Sequence, residues 1–432
     1  MSKLKIWIVA EGETMPEFGD VLPDMKNARR MRAGMLAKYM SAKGHDVTWW
    51  SSTFDHYSKS YYCNAYREIQ VNPNEKLILL HSPTAYKRNI SPTRIIYSRN
   101  LGREFLRHSE EQAKPDIIFC CLPLPEFVKA AVTYGKKHNV PVIVDVRDFW
   151  PDIYYRAVPK VLQPLAKIAI HFMRKSIGRT MAQAAGITGI TPIAMEWGCK
   201  TAGREPGKND RVMFISNEVQ ELSAEDMAEN LKWWEEQGIT GDTWNMCFFG
   251  MLSIHSEIGT VIEAVKRLAD THKDIRLIIG GAGDKKEDFM KLADGCSNIL
   301  FSGFLNHKQM NSLMHISKLG VYSIKNSYDF TNTLGNKVTQ YCSCSMPILN
   351  SLTGYVRTLL EQEHCGLTYR EGDPEDCAAK ILQLYNDEPD RRTMAANAHA
   401  VFMRKFEAGI VHQQYEDYFH EIVNNFGKEN DQ

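Results

Sequence analysis

Short apolar runs alternate with helical periodicity along almost the whole chain, and this alternation restricts the fold more than any other feature. The runs of the first half are Lys5–Ala10, Val47–Trp50, Leu77–His81, Asp116–Cys121, Val140–Val146 and Gly186–Thr191. Those of the second half are Trp244–Gly250, Arg276–Ile279, Ile299–Gly303 and Leu319–Tyr322. Each run has the length of a buried strand, so the pattern predicts an α/β protein with parallel sheets.

The polar segment Thr201–Asn209, which contains Gly and Pro, separates the two halves. A chain of 432 residues is too long for one hydrophobic core. We therefore predict a first Rossmann-like domain over residues 1–205 and a second over residues 206–405. A last amphipathic helix and tail would follow over residues 406–432.

Composition excludes several classes of protein. Lys+Arg and Asp+Glu both number 52, so no global basic field is available for nucleic acid. No apolar run is long enough to span a membrane, and the N-terminus predicts a strand rather than a signal peptide. The ten cysteines lack zinc spacing, so we expect reduced thiols, no metal and a cytoplasmic location.

The segment Leu334–Asn350, LGNKVTQYCSCSMPILN, predicts a loop, the N-terminus of a short helix and then a strand. A helix N-terminus offers unpaired amides and a positive dipole end, which suit a diphosphate. Gly335 would let the backbone approach a ligand, and Gln340 could face a ribose. The alternative is an ordinary loop–helix–strand unit without a ligand.

Charged residues follow two predicted strands of the first half. Arg147–Asp152 follows the buried run Val140–Val146, which contains Asp145, and the loop Glu11–Pro23 follows the first strand. Ligands of open α/β sheets bind at the carboxyl ends of strands, so both segments should border a site. The basic residues next in sequence, which could meet a phosphate there, are Arg29, Arg30 and Arg32. The alternatives are ion-paired loop residues and a solvated helix face.

The segment from residue 156 to residue 179 is basic and amphipathic. Its cations, interleaved with large apolar residues, are Arg156, Lys160, Lys167, Arg174, Lys175 and Arg179. A basic amphipathic helix of this kind suits the surface of an anionic membrane. The alternative is a helix packed on the sheet with a solvated basic edge.

Short motifs occur in a fixed order along both halves. The first half carries Arg32-x-Gly34-Met35-Leu36-Ala37, Gly44-His45-x-Val47, Asp145-x-Arg147-Asp148-x-Trp150-Pro151-Asp152, Gly186-Ile187-Thr188 and Gly203-Arg204. The second half carries Phe249-Gly250-x-Leu252-Ser253, Gly281-x-Gly283, Phe301-x-Gly303 and Gly335-Asn336-Lys337-Val338. In this order the chain resembles glycosyltransferase family 4, the retaining nucleotide-sugar enzymes of the GT-B fold. It is most similar to the branch that builds bacterial O-antigen and capsular polysaccharides.

The resemblance implies two Rossmann-like domains facing across a cleft, with the C-terminal helix crossing back to the first domain. The donor-binding residues that it implies are Gly250, Ser253, Gly281, Gly283, Asn332, Thr333, Leu334, Gly335, Asn336, Lys337 and Gln340. Arg147 or Asp148 falls where many relatives place a catalytic His, and Arg32 and Arg204 would serve the acceptor or phosphate side.

The chain departs from the family at charged positions. The usual pair of glutamates reads Asn332 and Gln340, and an amide lacks the charge that strengthens a hydrogen bond. The usual Arg and Lys after the first strand of the second domain read Met251 and His255-Ser256.

The resemblance implies a hexosyl- or N-acetylhexosaminyl-type transferase that acts at the inner face of the plasma membrane as a peripheral protein. It would move a sugar from a UDP- or GDP-linked donor to a lipid-linked or growing glycan acceptor, in O-antigen or lipopolysaccharide synthesis. No cofactor is expected. Two alternatives stay open: a non-catalytic relative that binds nucleotide sugar or a partner, and a nucleotide-sugar epimerase.

Overall fold

The chain forms two compact units in a computed structural model that describes residues 2–15, 18, 30–219 and 221–430. Unit 1 comprises Met1–Phe214 and His412–Gln432, and unit 2 comprises Ile215–Val411. Each unit is built on its own sheet. The prediction of two α/β domains with parallel sheets is therefore confirmed.

Unit 1 contains an eight-stranded sheet. Its strands are β1 Lys5–Val9, β2 Asp46–Ser52, β3 Arg67–Asn72, β4 Glu75–Leu80, β5 Ile117–Leu122, β6 Val142–Val146, β7 Gly186–Gly189 and β8 Arg211–Val212. The order is β3-β4-β2-β1-β5-β6-β7-β8, and all neighbours are parallel except β3 and β4. The sequence missed β3 because this edge strand is polar and no residue in it is buried.

The helices of unit 1 pack on both faces of a sheet whose central strands are buried along their length. They are α1 Arg32–Ala42, α2 Pro92–Ser109, α3 Pro125–His138, α4 Tyr154–Ala157, α5 Gln163–Met181 and α6 Pro192–Thr201. Local sequence sets several starts: the hydroxyls of Ser91 and Thr191 cap α2 and α6, and a proline follows each cap. The chain runs outward in both directions from β1, so the carboxyl ends of β1 and β5 form the topological switch point of this sheet.

Unit 1 extends beyond the predicted boundary at residue 205, and Gly186–Thr191 does not provide its last strand. β8 pairs in parallel with β7. Asp210, just before β8, accepts hydrogen bonds from the amides of Ile187 (2.8 Å) and Gly207 (2.7 Å). These bonds attach the segment to the first sheet. Its Gly and Pro residues mark a turn within unit 1, which composition alone does not distinguish from a linker.

Unit 2 contains a six-stranded sheet in which all strands are parallel. Its strands are β9 Trp244–Phe249, β10 Ile275–Gly280, β11 Ile299–Gly303, β12 Ser317–Tyr322, β13 Ile348–Asn350 and β14 Gly366–Thr368. Its helices are α7 Ala224–Glu235, α8 Ile258–Leu268, α9 Lys286–Leu292, α10 His307–Ile316, α11 Tyr328–Asn332, α12 Asn336–Ser343, α13 Tyr355–Glu363, α14 Pro374–Asn386 and α15 Glu388–Val401. A π-helical turn follows at Phe402–Phe406. The order β11-β10-β9-β12-β13-β14 places a switch point between the carboxyl ends of β9 and β12.

The last helix, α16 (Ala408–Asn430), starts in unit 2 and belongs to unit 1 from His412 onward. The ring of Phe119 on β5 packs against Tyr415 (5.3 Å between centroids) and Phe419 (5.7 Å). The prediction that the C-terminal helix returns to the first domain is confirmed, although the helix is part of unit 1 rather than a separate piece. Within the described residues, no helix combines the length and apolarity that a membrane span requires.

Candidate active site

The loop after β9 and the segment after β12 meet at the switch point of unit 2. The Lys325 amide donates to the His255 carbonyl (2.9 Å), and the Glu257 amide donates to the Ser323 carbonyl (3.3 Å). The ring centroids of His255 and Phe330 lie 5.5 Å apart. The fold therefore brings the loop that holds the predicted donor residues Gly250 and Ser253 to the same sheet edge as the segment leading into α12.

Two glycines of the loop after β10 hold it against the loop after β9. Gly281 and Gly283 have φ of +144° and +155°. A Cβ at Gly281 would lie 1.9 Å from the Gly250 carbonyl oxygen, and one at Gly283 would lie 2.2 Å from that of Leu252. Contact between two loops thus requires both glycines. Their predicted place near a nucleotide stays a prediction.

The helix α12 starts where the sequence predicts a helix N-terminus. Gly335 is its N-cap residue, and none of the described side chains caps it. The Val338 amide donates to the Gly335 carbonyl (3.0 Å). A helix N-terminus without a side-chain cap is a position that suits an anion. Gly335 itself has an ordinary φ of −83°, but a Cβ there would lie 2.2 Å from the Tyr322 hydroxyl. This glycine is needed for packing against β12, a reason that the sequence does not reveal.

The remaining predicted donor residues divide into two groups. The Lys337 ammonium donates to the Gln340 amide oxygen (3.1 Å) and lies 5.8 Å from the centre of the Phe249 ring, at the end of β9. Asn332 and Thr333 instead donate to backbone carbonyls of α11, at 2.7 and 2.9 Å. Leu334 is buried and Asn336 is exposed. Lys337 and Gln340 are therefore the pair placed beside β9.

In unit 1, the predicted catalytic cation Arg147 lies between two carboxylates. It donates to Glu13 (2.5 Å) and to Asp145 (3.2 Å). Glu13 also accepts from the Ala33 amide at the start of α1 (2.9 Å), which holds this carboxylate in place. The ion-paired alternative therefore describes Arg147, and its catalytic role stays a prediction. Asp148, the next residue, is exposed at the end of β6.

The cations predicted for the phosphate side also face carboxylates. Arg32 donates to Asp145 (3.1 Å) and to the Met213 carbonyl (2.8 Å). Arg30 donates to Glu75 (2.5 Å), and Arg204 forms a bidentate ion pair with Asp210. Arg29 lies outside the described residues. The predicted phosphate role of these residues stays a prediction.

The Arg204 pair has a clear electrostatic effect. Burial would raise the pKa of Asp210, but the hydrogen bonds from Arg204 and from the amides of Gly207 and Ile187 outweigh it and lower that pKa. Asp210 is the carboxylate that attaches the segment before β8. Arg204 therefore stabilises the end of unit 1.

One group of potential metal ligands occurs in the described part of the chain, formed by His45, Glu416 and His420, with ligand atoms within 4.8 Å of one another. The Leu4 amide donates to Nδ1 of His45 (3.1 Å), so Nε2 carries the ring proton and donates it to Glu416 (3.1 Å). A metal would have to displace that proton. The cluster is better described as a set of hydrogen bonds through which His45 attaches α16 to the rest of unit 1.

Sequence reasoning missed two buried residues at the first switch point, Glu11 and Arg94. Glu11 lies two residues after the apolar end of β1, and Arg94 lies in the first turn of α2. The only available signal was the expectation that the loop starting at Glu11 borders a site. Their proximity could not be foreseen, because 82 residues separate them and no motif joins them.

The fold and the second switch point define a class: two Rossmann-like units of the GT-B type, the second of which matches a glycosyltransferase family. Residues 229–401, within unit 2, match the family model described as glycosyl transferases group 1. Unit 2 is therefore the part of the chain that is similar to the group 1 glycosyl transferases.

Individual relatives agree with this class. The sulfoquinovosyl transferase SQD2 of Arabidopsis thaliana is 25% identical over 140 residues, which are 32% of this chain and 26% of that relative. This chain thus matches about a quarter of the curated relative's length. The sucrose-phosphate synthase of Thermosynechococcus elongatus has a TM-score of 0.70 at 12% identity, covering 98% of this chain and 100% of that one. Anabaena Alr3699/HepE, solved in complex with UDP, has a TM-score of 0.64 at 13% identity, covering 97% and 100%. At such identities these two structures establish the fold alone.

Proposed function

We propose that this protein is a retaining glycosyltransferase that moves a sugar from a UDP- or GDP-linked donor to a lipid-linked or growing glycan acceptor. Its place would be in bacterial surface polysaccharide synthesis, such as that of O-antigen or lipopolysaccharide. The proposal rests on one observation above the others. The uncapped N-terminus of α12, Lys337 and the loop after β9 lie together at the switch point of the domain that matches the glycosyltransferase family.

The proposed reaction needs positioning and charge stabilisation more than a protein nucleophile. The nucleoside diphosphate leaves from unit 2, where the first amides of α12 and the Lys337 ammonium stabilise its developing charge. In a front-face reaction with retention, the leaving phosphate oxygen takes the proton of the acceptor hydroxyl. Asp148, exposed after β6, would orient the acceptor or stabilise positive charge at the sugar carbon.

Similar proteins support a nucleotide-sugar donor. The Anabaena protein was solved with UDP and also with UDP-glucose. The solved neighbours further include sucrose-phosphate and trehalose-phosphate synthases, so the fold accommodates different acceptors. We therefore propose a nucleotide sugar as the donor that unit 2 binds. Which sugar it carries has to be found by experiment.

The donor site is tested by thermal unfolding of the full chain with UDP, GDP or ADP. A bound nucleotide at about 100 times its Kd stabilises the folded state by about 2.7 kcal/mol. We expect one nucleotide to stabilise the wild type. Lys337→Ala should weaken the binding of that nucleotide about tenfold, because a charged hydrogen bond to phosphate is lost. Lys273→Ala, an exposed lysine of the same unit, is the matched control.

Two results would contradict the donor proposal. Equal stabilisation by nucleotide in wild type and Lys337→Ala would remove the proposed phosphate contact. No stabilisation by any nucleotide would favour a relative that binds only a protein partner. The pairing of Lys337 with Gln340, and of Arg32 and Arg204 with carboxylates, is the observation that keeps this second candidate open.

We further propose that α5 contacts an anionic membrane. Five large apolar side chains are exposed around its first half: Val161 (88%), Leu162 (49%), Leu165 (67%), Ile168 (58%) and Phe172 (65%). Lys167 and Lys175 are exposed beside them. Apolar and cationic groups on one exposed segment suit a surface of anionic lipid headgroups over acyl chains. Arg174, predicted as a third lipid contact, instead pairs with Asp152.

Sedimentation with vesicles tests this proposal. We expect the wild type to bind vesicles of phosphatidylcholine with phosphatidylglycerol more than pure phosphatidylcholine. Each cation near the surface contributes about 1 kcal/mol, so Lys167→Glu with Lys175→Glu should reduce binding more than tenfold. Lys38→Glu with Lys43→Glu, at α1, changes the same charge elsewhere. Equal binding by both double variants would exclude α5 as the contact.

A further inference from the structure

Glu11 is a buried carboxylate at the switch point of unit 1 that the proposed reaction has not used. It lies two residues after the end of β1, and 8% of the residue is exposed. Its Oε1 accepts a hydrogen bond from the Tyr97 hydroxyl (2.8 Å). Its Oε2 has no hydrogen-bond partner among the described residues. A carboxylate in this situation is costly unless something else satisfies it.

Arg94 is a buried guanidinium of the same cluster. Its central carbon lies 4.7 Å from the Trp150 ring centroid and 5.3 Å from that of Tyr86, so the group is stacked between aromatic rings. One nitrogen donates to the Asn89 carbonyl (2.9 Å), and its Nε has no partner in the described part of the chain. Five per cent of Arg94 is exposed.

The two groups interact electrostatically without forming an ion pair. Burial raises the pKa of the Glu11 carboxyl, and the charge of Arg94 opposes that rise. No ion pair joins them among the described residues, although the acid and the base would otherwise be natural partners. Two tyrosines in contact connect them: Tyr97 donates to Glu11, its ring centroid lies 5.0 Å from that of Tyr86, and Arg94 lies over Tyr86. The two groups, each with one unsatisfied buried atom, therefore belong to one buried cluster.

The half-exposed members of the cluster are His56 and Lys59. Nδ1 of His56 and the Tyr86 hydroxyl lie 2.6 Å apart, and the Lys59 ammonium lies 4.7 Å from the Tyr86 ring centroid. Lys59 has a φ of +58°, an unfavourable backbone conformation for a residue other than glycine. Such conformations persist where the surroundings impose them, and they are concentrated at ligand sites.

We propose that a hydroxyl group of a carbohydrate acceptor occupies the position between Glu11 and Arg94, entering past His56 and Lys59. A hydroxyl can donate to Oε2 of Glu11 and accept from Arg94 at the same time. A phosphate would be repelled by the carboxylate, and an ammonium by the guanidinium. This assignment rests on the proposed function and extends it, because it makes Glu11 and Arg94 specificity-determining residues of the acceptor side.

Ligand-observed NMR with methyl glycosides tests the assignment on the full chain. The probes are methyl glycosides of glucose, galactose, mannose and N-acetylglucosamine. We expect at least one to bind the wild type, and Glu11→Gln to weaken it about tenfold or more, since a hydrogen bond to a charged group is lost. The amide of that variant can still accept from Tyr97, so the fold should be kept. Glu196→Gln, which neutralises an exposed glutamate of the same unit, should bind like the wild type.

Arg94→Lys provides a second, independent variant, because it keeps the charge but loses the planar stacking group. It should weaken the same glycoside. No glycoside binding to the wild type, or equal binding by the Glu11, Arg94 and Glu196 variants, would overturn the assignment and indicate an enclosed water only. Competition by inorganic phosphate would also overturn it.

These experiments can refute the donor site and the acceptor site independently of each other. Stabilisation by nucleotide reports on unit 2 and should be unchanged in Glu11→Gln. Glycoside binding without nucleotide stabilisation would refute the donor site and keep this acceptor site, and the reverse result would do the opposite.

Discussion

Buried ionisable side chains of unit 1 show how partners decide the role of a residue. Arg147 and Arg32 both reach Asp145, which is fully buried and also accepts from the Thr188 hydroxyl (2.7 Å). Removing Asp145 would take away the carboxylate that both buried guanidiniums share, which is strongly destabilising. We therefore interpret this network first as support for the carboxyl ends of β1 and β6. Any catalytic function of Arg147 would have to act through that support.

His412 gives the fold a pH dependence that can be measured. Burial, and then the charge of Arg32, lower the pKa of His412 to about 4, from a usual 6.5. The unfolded chain therefore takes up this proton first as the pH falls. The stabilisation is fully present above about pH 6.5 and is lost as the pH falls through about 4, a difference of roughly 3 kcal/mol.

We expect His412→Gln to lessen this loss of stability. Urea unfolding at pH 7.5, 5.5 and 4.5 compares the two proteins, and the free-energy difference between them should shift in favour of the variant at low pH. The pKa of His56 is also lowered to about 4, first by burial, so some pH dependence will remain. A difference that is the same at all three pH values would show that His412 does not titrate in this way.

At the scale of elements, the switch point of unit 2 depends on two loops that fit closely. The Gly250 amide donates to the Gly280 carbonyl (3.1 Å), and the Leu252 amide donates to the Ala282 carbonyl (2.9 Å). These bonds fix the loop after β9 relative to the loop after β10. Positioning of this kind is what a phosphate-binding edge requires, whatever the nucleotide.

Gly281→Ala tests this fit. The φ of +144° and the 1.9 Å approach to the Gly250 oxygen should together cost about 2 kcal/mol or more in the stability of unit 2. Gly295→Ala is the matched control, because its φ is +76° but a Cβ there would meet nothing within 4 Å. It should cost only about 1 kcal/mol. If urea unfolding gave the same loss of unfolding free energy for Gly281→Ala and Gly295→Ala, the close contact between the two loops would not contribute to stability.

At the scale of the whole molecule, the chain leaves unit 1 at Phe214 and returns to it at His412. Unit 1 is therefore completed only after unit 2 has been made. The returning helix buries Tyr415, Tyr418 and Phe419 and pairs Glu421 with Arg211 of β8 (2.5 Å). A large part of one core of unit 1 thus comes from the far end of the sequence.

Phe419→Ala should consequently destabilise unit 1 by about 3–5 kcal/mol, the usual cost of removing a buried aromatic ring. Differential scanning calorimetry should show a lowered transition for unit 1 and an unchanged one for unit 2. Phe304→Ala, which removes a ring that is 85% exposed, should change neither by more than about 0.5 kcal/mol. A shift of the unit 2 transition alone would contradict this assignment of α16.

The sequence by itself determined the buried central strands, most helices and the parallel α/β class, because apolar periodicity and helix caps act over a few residues. It also predicted a helix N-terminus directly after the loop at Gly335, and α12 begins at Asn336. The boundary of unit 1 was not determined in this way, since β8 is only two residues long and is recognised by its pairing with β7.

Only the tertiary structure decided which charged residues are engaged and which buried groups lie together. Arg32, Arg147 and Arg204 look alike as isolated cations, yet each meets a carboxylate that no motif connects with it. Glu11 and Arg94 belong to one cluster only through folding, because 82 residues separate them in the sequence. Local pattern follows from bonding within a few residues, whereas partnership depends on long-range packing, and for that physical reason the site could not be completed from the sequence.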